Sequence, residues 1–276
     1  MKVLFLDAYN LIYRARSGFT KGINPVVYNF FRGVRPLVEK FNPDKVYFVL
    51  EGVPEFRNKL TEGEYKGNRV KQDRSFHEQK ATIISLIKNC FPFETVRHPK
   101  LECDDTIATL AAIHARQSDD VTIISSDSDF IQMLNAFENI EIYNPVRKSF
   151  IEKPDYDYVV WKALRGDATD NIKGIKGVGD KTATKLVKNE NLLREFLSDS
   201  EKMNIFQRNV NLIRLVDFSE RLNEMESHVG SEDFATLKSA FEKMEFSSMT
   251  KDSTWEKYCN TFKELWCILT KAHKKF

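Results

Sequence analysis

The sequence predicts an α/β fold: a mostly parallel central sheet flanked by helices, followed by a helical region. Two observations carry this. Short apolar runs at Val3–Leu6, Val46–Leu50, Val121–Ser125 and Ile140–Tyr143, with Phe93–Val96 as a weaker fifth, have the length and composition of buried strands. Helical periodicities lie between them, and strands alternating with helices build a parallel sheet covered on both faces. Asn24-Pro25 supplies a cap and a first-turn proline, and apolar residues recur at Phe30, Phe31, Val34, Leu37 and Val38; Ala81–Ile87 and Thr106–His114 also read as helices.

The 276 residues suffice for one large domain, or a large one with a small appendage. At 42% hydrophobic residues, a buried core is expected rather than disorder. No apolar run approaches the roughly 20 residues of a membrane span, and the opening Met1–Asp7 is too short for a signal peptide. A soluble, cytoplasmic monomer is therefore expected. Cys90, Cys103, Cys259 and Cys267 have no paired CxxC spacing, which argues against structural zinc and disulfides. The net charge is only +2, but Lys and Arg gather around 57–74 and 173–188 while acids gather at strand ends. An acidic site flanked by basic surface suits an anionic polymer; ordinary solvated surface explains the charge equally well.

Residues 52–75 break the rhythm. The stretch is polar, carries Gly63 and Gly67, follows a strand end and is too long for an ordinary connection, as functional lids and surface loops are. After about Asp155 the pattern turns helical to the end. The expected division is therefore an α/β domain over 1–154 with this insertion, and a helical region over 155–276.

Ligands of a parallel sheet bind beyond the carboxyl ends of its strands, and acids recur there. Asp7 ends the first strand, Glu51 the second, and Asp127 and Asp129 follow a third. Glu102-Cys103-Asp104-Asp105 precedes an apolar helix, and Asp167 and Asp170 stand at the end of another, spaced for one helical face. Any single member reads as a helix cap or a first-turn acid. Together, nine carboxylates from five segments would repel one another and raise each other's pKa. Divalent cations relieve that, and all-oxygen donors suit magnesium or manganese, not zinc. Two such ions commonly act on phosphates.

Asn171–Ala183 is the second strong signal. Gly174, Gly177 and Gly179 permit a tight turn whose N–H groups can approach phosphate, while Lys176, Lys181 and Lys185 add charge beside the next helix. This has the form of a helix–hairpin–helix, near 167–188, which grips the DNA backbone without reading sequence. It lacks the GxxxxGK[ST] of a nucleotide-binding loop.

These motifs, in order over roughly residues 1–190, resemble the 5′→3′ exonuclease and flap endonuclease family of bacteriophages and of the N-terminus of bacterial DNA polymerase I. The matching stretches are Leu6–Leu11 with Tyr13-Arg14, Glu64–Arg69, Glu102–Asp105, Ser126–Asp129, and Gly166–Ile172 running into Gly177–Ala183. The resemblance implies a PIN-like 5′ nuclease fold that hydrolyses phosphodiesters with two magnesium or manganese ions. Asp7, Glu102, Asp104, Asp127, Asp129 and Asp167 would hold them, supported by Asp105 and Asp170. Residues 52–75 would form an arch over the 5′ strand. Lys66 would sit against the scissile phosphate with Arg69 beside it, and Tyr65 would stack on a base or simply pack. Phosphoryl transfer needs such positive charge. Arg14, Thr182 and the glycine–lysine hairpin would contact DNA, and potassium would bind hairpin carbonyls. Where the family has Asp, this chain has Glu51, whose extra methylene moves the ligand oxygens. The acids divide into a first group of Asp7, Glu51, Glu102 and Asp104 and a second around Asp127, Asp129 and Asp167.

The expected role is removal of flaps or RNA primers in DNA replication or repair by a stand-alone enzyme, since 276 residues leave no room for a polymerase domain. Its partners would be DNA with a 5′ end and replication proteins such as a single-strand-binding protein, clamp or polymerase. A PIN-type ribonuclease, or a catalytically weak structure-specific DNA-binding protein, is the alternative.

Overall fold

The computed structural model describes residues 1–19, 21–67 and 72–273, with the side chains of the last helix described to Lys263 and at Leu265. The expected strands form. β1 (Lys2–Asp7) leads into α1 (Ala8–Arg16) and α2 (Pro25–Phe41), then β2 (Lys45–Leu50), α3 (Glu55–Leu60), α4 (Arg74–Cys90) and β3 (Glu94–Arg97). α5 (Cys103–Arg116), β4 (Asp120–Ile124), α6 (Ile131–Ala136), β5 (Ile140–Asn144) and β6 (Ser149–Phe150) follow. β1 pairs in parallel with both β2 and β4, and β3 and β5 extend the parallel set.

The order β6-β5-β4-β1-β2-β3, with β9 (Glu226–Val229) outside β3, puts β1 at the centre. The chain runs from β1 through β2 to β3 on one side and through β4 to β5 on the other. The strand order thus reverses between β1 and β4, where α/β sheets open a crevice. Successive residues of β1 serve opposite cores. Leu4 and Leu6 join Phe31, Phe48 and Phe91 under α1, α2 and α4, while Val3 and Phe5 join Val49, Ile107 and Ile123 under α5. Burial on both faces explains why these strands read as continuous apolar runs.

Local chemistry fixes the helix ends that matter. Pro25 starts α2 and Asn42, at φ 40°, stops it in a left-handed cap. Asp73 caps α4 by accepting from the Phe76 N–H, so Arg74 and Ser75 belong to this helix and not to the insertion. The insertion is thus shorter than expected, and α3 lies within it.

The second half departs further from the helical expectation. α7 (Tyr158–Arg165) ends at Gly166, and a ribbon of β7 (Gly166–Asp167) and β8 (Ile172–Lys173) follows. Next come α8 (Asp180–Val187), α9 (Glu190–Phe196), α10 (Ser200–Ile213) and a 3-10 turn over Ser219–Glu224. The chain then returns to the sheet: β9 (Glu226–Val229) pairs antiparallel with β3. α11 (Phe234–Lys243), α12 (Ser247–Thr250) and α13 (Asp252–His273) follow, and Leu237, Phe241, Tyr258 and Phe262 complete the core beside Phe31 and Phe91. Residues 155–276 are thus helical apart from the β7–β8 ribbon and β9. Their last part closes the first domain, because an unpaired β3 edge and an open apolar face would otherwise meet water. No helix among the described residues is long and apolar enough to cross a membrane.

Candidate metal centre and nucleic-acid interface

The carboxylates gather around the crevice. Asp7 ends β1 and caps α1, its Oδ1 accepting the Asn10 N–H (3.0 Å) and its Oδ2 the Ser125 hydroxyl (2.7 Å). Asp104 lies in the first turn of α5. Ligand atoms of Asp7, Cys103 and Asp104 form one group within 4.8 Å of one another, and Asp129, Asp167 and Asp170 form a second. Burial raises the Asp7 carboxyl to about 6, with Asp127 adding to the shift. Burial, then Asp127 and Asp7, push Asp104 well above its ordinary value. Glu51 rises to about 7 through burial and the nearby Glu102. These shifts express charges crowded together out of water.

The second group is built differently. Burial raises Asp167, but the hydrogen bond and charge of Lys162 together with hydrogen bonds from Thr169 outweigh it and hold the carboxyl below its ordinary value. Lys162 Nζ pairs with Asp129 Oδ1 and lies 2.6 Å from Asp167 Oδ2. Burial and the Asp127 charge nevertheless leave Asp129 raised to about 6.

Glu102 faces a cationic cage. Arg57 Nη1 donates to its Oε2 (2.9 Å), Tyr65 Oη approaches the same oxygen (3.0 Å), and Lys66 Nζ pairs with Oε1. Asp105 is fully buried and held in a two-pronged pair by Arg57, at 2.5 and 2.8 Å. Its Oδ1 also accepts the Val216 N–H (2.8 Å). Sequence reasoning missed both Arg57 and Lys162. Burial of a cation is the only signal that marks them, and it exists only once the chain is folded.

The insertion joins the ribbon at its base. The Lys66 N–H donates to the Asp170 carbonyl (3.3 Å), and Asn171 Nδ2 donates to the Glu64 carbonyl (3.1 Å). Lys66 and Asn171 adopt left-handed φ values of 54° and 60°, conformations that cost energy and recur at functional sites. Tyr65 is buried, with its hydroxyl between Glu102 and Asp170. It therefore offers no exposed face for a base, because the carboxylates draw the phenol inward. Arg69 lies outside the described residues. Arg14 lines a groove of about 730 Å³ with Asn10, Arg32, Ser126 and Lys148.

Asp167 and Asp170 do not share a helical face. Gly166 takes φ 83°, which stops α7, and Asp167 then enters the ribbon. At the hairpin, Gly177, Gly179, Lys176, Lys181, Thr182 and Lys185 are exposed and Gly174 is half-buried. A β-carbon on Gly174 would lie 2.0 Å from the Arg165 carbonyl oxygen. Gly174→Ala is expected to cost about 1–3 kcal/mol through this overlap, whereas Gly177→Ala, with open space but φ 83°, should cost only about 1 kcal/mol. Thermal denaturation of the two variants checks the order.

Residues 2–163 match the family described as 5'-3' exonuclease, N-terminal resolvase-like domain, and residues 154–249 that described as 5'-3' exonuclease, C-terminal SAM fold. The chain belongs to the 5'-3' exonuclease family. It is 27% identical over 286 residues to a 5'-3' exonuclease of Aquifex aeolicus (strain VF5), covering 91% of this chain and 95% of that one. It is 32% identical over 210 residues to the thermostable DNA polymerase I of Thermus filiformis, covering 70% of this chain and 25% of that one. The chain spans about a quarter of the length of the DNA polymerase I relatives it matches (26% for that of Thermus thermophilus). In fold it resembles the bacteriophage T5 D15 protein co-crystallized with metal ions (TM-score 0.64, 21% identity, 78% of this chain and 90% of that one). It also resembles the catalytic core of Rad2 in complex with DNA substrate (TM-score 0.54, 18% identity, 88% and 86%).

The donor set of this exonuclease-family chain fits a divalent cation. Among the described residues no ammonium or guanidinium pairs directly with Asp7, Glu51, Asp104 or Asp127, and Lys66 offsets the crowded charge at Glu51 and Asp104 only from a distance. One expectation needs correcting. The first group is not all oxygen, because the Cys103 thiol faces Asp104 Oδ1 (3.3 Å) and Asp7 Oδ1 (3.6 Å). Burial keeps that thiol well above its ordinary pKa, so it stands there as a neutral donor.

Proposed function

We propose that the protein is a divalent-metal-dependent 5′ nuclease that hydrolyses phosphodiesters near the 5′ end of nicked or flapped DNA. The observation that carries this is the convergence of carboxylates from five chain segments on the β1/β4 crevice, with Lys66 at its rim. Magnesium or manganese held by Asp7, Asp104 and Asp127, with Glu51 and the second group beside them, would supply Lewis-acid charge and lower the pKa of water.

The chain's own residues do the rest. Lys66 stands on Glu102 and 3.7 Å from Asp170, so its ammonium is held at the mouth of the cluster, where a phosphate oxygen would gain negative charge. Tyr65 and Arg57 keep Glu102 in place. The exposed hairpin N–H groups and Lys176, Lys181 and Lys185 bind the backbone of the duplex, which fixes register without reading bases. Arg14 and its groove take a second stretch of backbone, and residues 52–73, Arg69 included, guide the 5′ strand. Potassium at the hairpin and replication proteins as partners belong to the same reading and rest on the resemblance alone.

Product mapping on a 5′-labelled flap duplex with magnesium tests the proposal. Short labelled products from the intact chain, and their loss in Asp127→Ala with DNA binding retained, are expected. Full activity in that variant refutes the metal assignment. Cleavage of single-stranded RNA in preference to the flap would favour a ribonuclease, and flap binding without product would leave a binding protein.

A further inference from the structure

The two carboxylate groups differ in one respect that the proposed function leaves unexplained. Among the described residues no ammonium or guanidinium is in ion-pair contact with Asp7 or Asp104 of the first, whereas the second is met by Lys162 at Asp129 and Asp167 and by Lys66 at Asp170. Lys162 stands on the buried face of α7, in line with Tyr158, Val159 and Ala163. Its side chain is 3% exposed. A lysine so deep is tolerated only when its charge is met, and Asp129 and Asp167, from two different segments, both meet it. Asp129 comes from the loop after β4 and Asp167 from the ribbon after α7, so this ammonium also joins the α/β domain to the hairpin region. Asp170 lies in the same group.

We infer that Lys162 is a built-in cation of the second carboxylate group, so that the protein binds one divalent ion tightly at Asp7 and Asp104 and a second only weakly, in competition with this ammonium. The inference deepens the proposed function and rests on its metal reading. The physical argument is charge balance. A divalent ion between Asp129 and Asp167 would stand within a few ångströms of Nζ, and like charges at that range repel strongly in a site shielded from water. The ion must either displace Lys162 or stay out, and the buried stem leaves the lysine little room to withdraw. At the first group no ammonium among the described residues stands in contact with Asp7 or Asp104, Lys66 acting on Asp104 only from a greater distance, and an entering ion relieves the repulsion between the carboxylates. Lys162 acts here as a positioning residue, because it holds Asp129 and Asp167 in fixed relation.

Manganese binding to the full chain tests this, by calorimetry and by electron paramagnetic resonance. The wild-type chain should bind one ion tightly and a second about 10–100-fold more weakly, a span typical of changes beside a metal site. At an occupancy of one, it should give the signal of isolated ions. Lys162→Met should bring the second affinity up toward the first and produce a spin-coupled pair. If Lys162→Met does not fold, Lys162→Gln removes the same charge while keeping a hydrogen-bond donor, and Asp167→Asn in the presence of Lys162 tests which group holds the tight ion. It should leave the tight site unchanged, while Asp104→Asn removes it. Two equally tight ions in the wild-type chain, an unchanged second affinity in Lys162→Met, or loss of the tight site in Asp167→Asn would overturn the inference while leaving the metal reading intact. Failure of the wild-type chain to bind manganese at all would overturn both.

Discussion

Asp104→Asn is expected to lower magnesium-dependent cleavage of a flap duplex by at least about 10²-fold, the scale set by loss of one preorganised electrostatic contact. The same substitution should raise the melting temperature of the metal-free chain. Both effects have one cause. The Asp104 carboxylate is crowded by Asp7 and Asp127 and withdrawn from water, so its charge opposes folding and favours a cation. Asparagine keeps the shape and removes the charge. Adding magnesium should stabilise the wild-type chain far more than the variant, because an ion that binds only the folded state adds its binding energy to stability. Thermal melts with and without magnesium, beside the cleavage assay, check this. A variant retaining more than about a tenth of the wild-type rate would remove Asp104 from the metal group.

Arg57→Met should show the largest effect on stability. The guanidinium has five donors, and all five find acceptors: Glu102, both oxygens of Asp105, and the carbonyls of Leu212 and Arg214. Removing it strands Asp105 with no cation in a fully buried position. Breaking a buried pair from one side costs about 3–5 kcal/mol, which is a fall of roughly 6–20 °C in melting temperature for a chain of this size. The double variant Arg57→Met with Asp105→Leu should recover part of the loss, because an apolar pair of similar volume replaces a buried ion pair at little net cost. Additive losses in that cycle would mean that the two side chains do not act as a unit. Arg57 also anchors α3, at the foot of the insertion, to the segment after α10. Loosening it should therefore weaken the hold on Glu102 and depress cleavage as well.

Much of this was legible in the residue order. Val3–Leu6 and Val46–Leu50 read as strands because both of their faces are buried, and continuous apolar character is the mark of that environment. A carboxylate at a strand's end stays at the sheet's edge whatever the helices do, so Asp7, Asp127 and Asp129 could be placed on one crevice from sequence. The glycine turn was readable because φ 83° at Gly177 is a local demand that few residues meet.

Tertiary structure decided the rest. The strand Glu226–Val229 is polar and exposed, and it joins β3 through backbone bonds that leave no side-chain pattern. Asp105 matched a metal-binding motif, yet Arg57, 48 residues away in sequence, claims both of its oxygens. Cys103 has no paired cysteine spacing to mark it, and only folding turns its thiol toward Asp7 and Asp104. Nothing in the residue order marks Lys162, because its partners Asp129 and Asp167 come together only when the ribbon folds beside the loop after β4. The sequence by itself determined which segments form the sheet and that acids line its edge, because periodicity and backbone conformation are set over a few residues. Only the tertiary structure decided which of those acids keep an unmet charge, because the cations that neutralise the others arrive from distant parts of the chain.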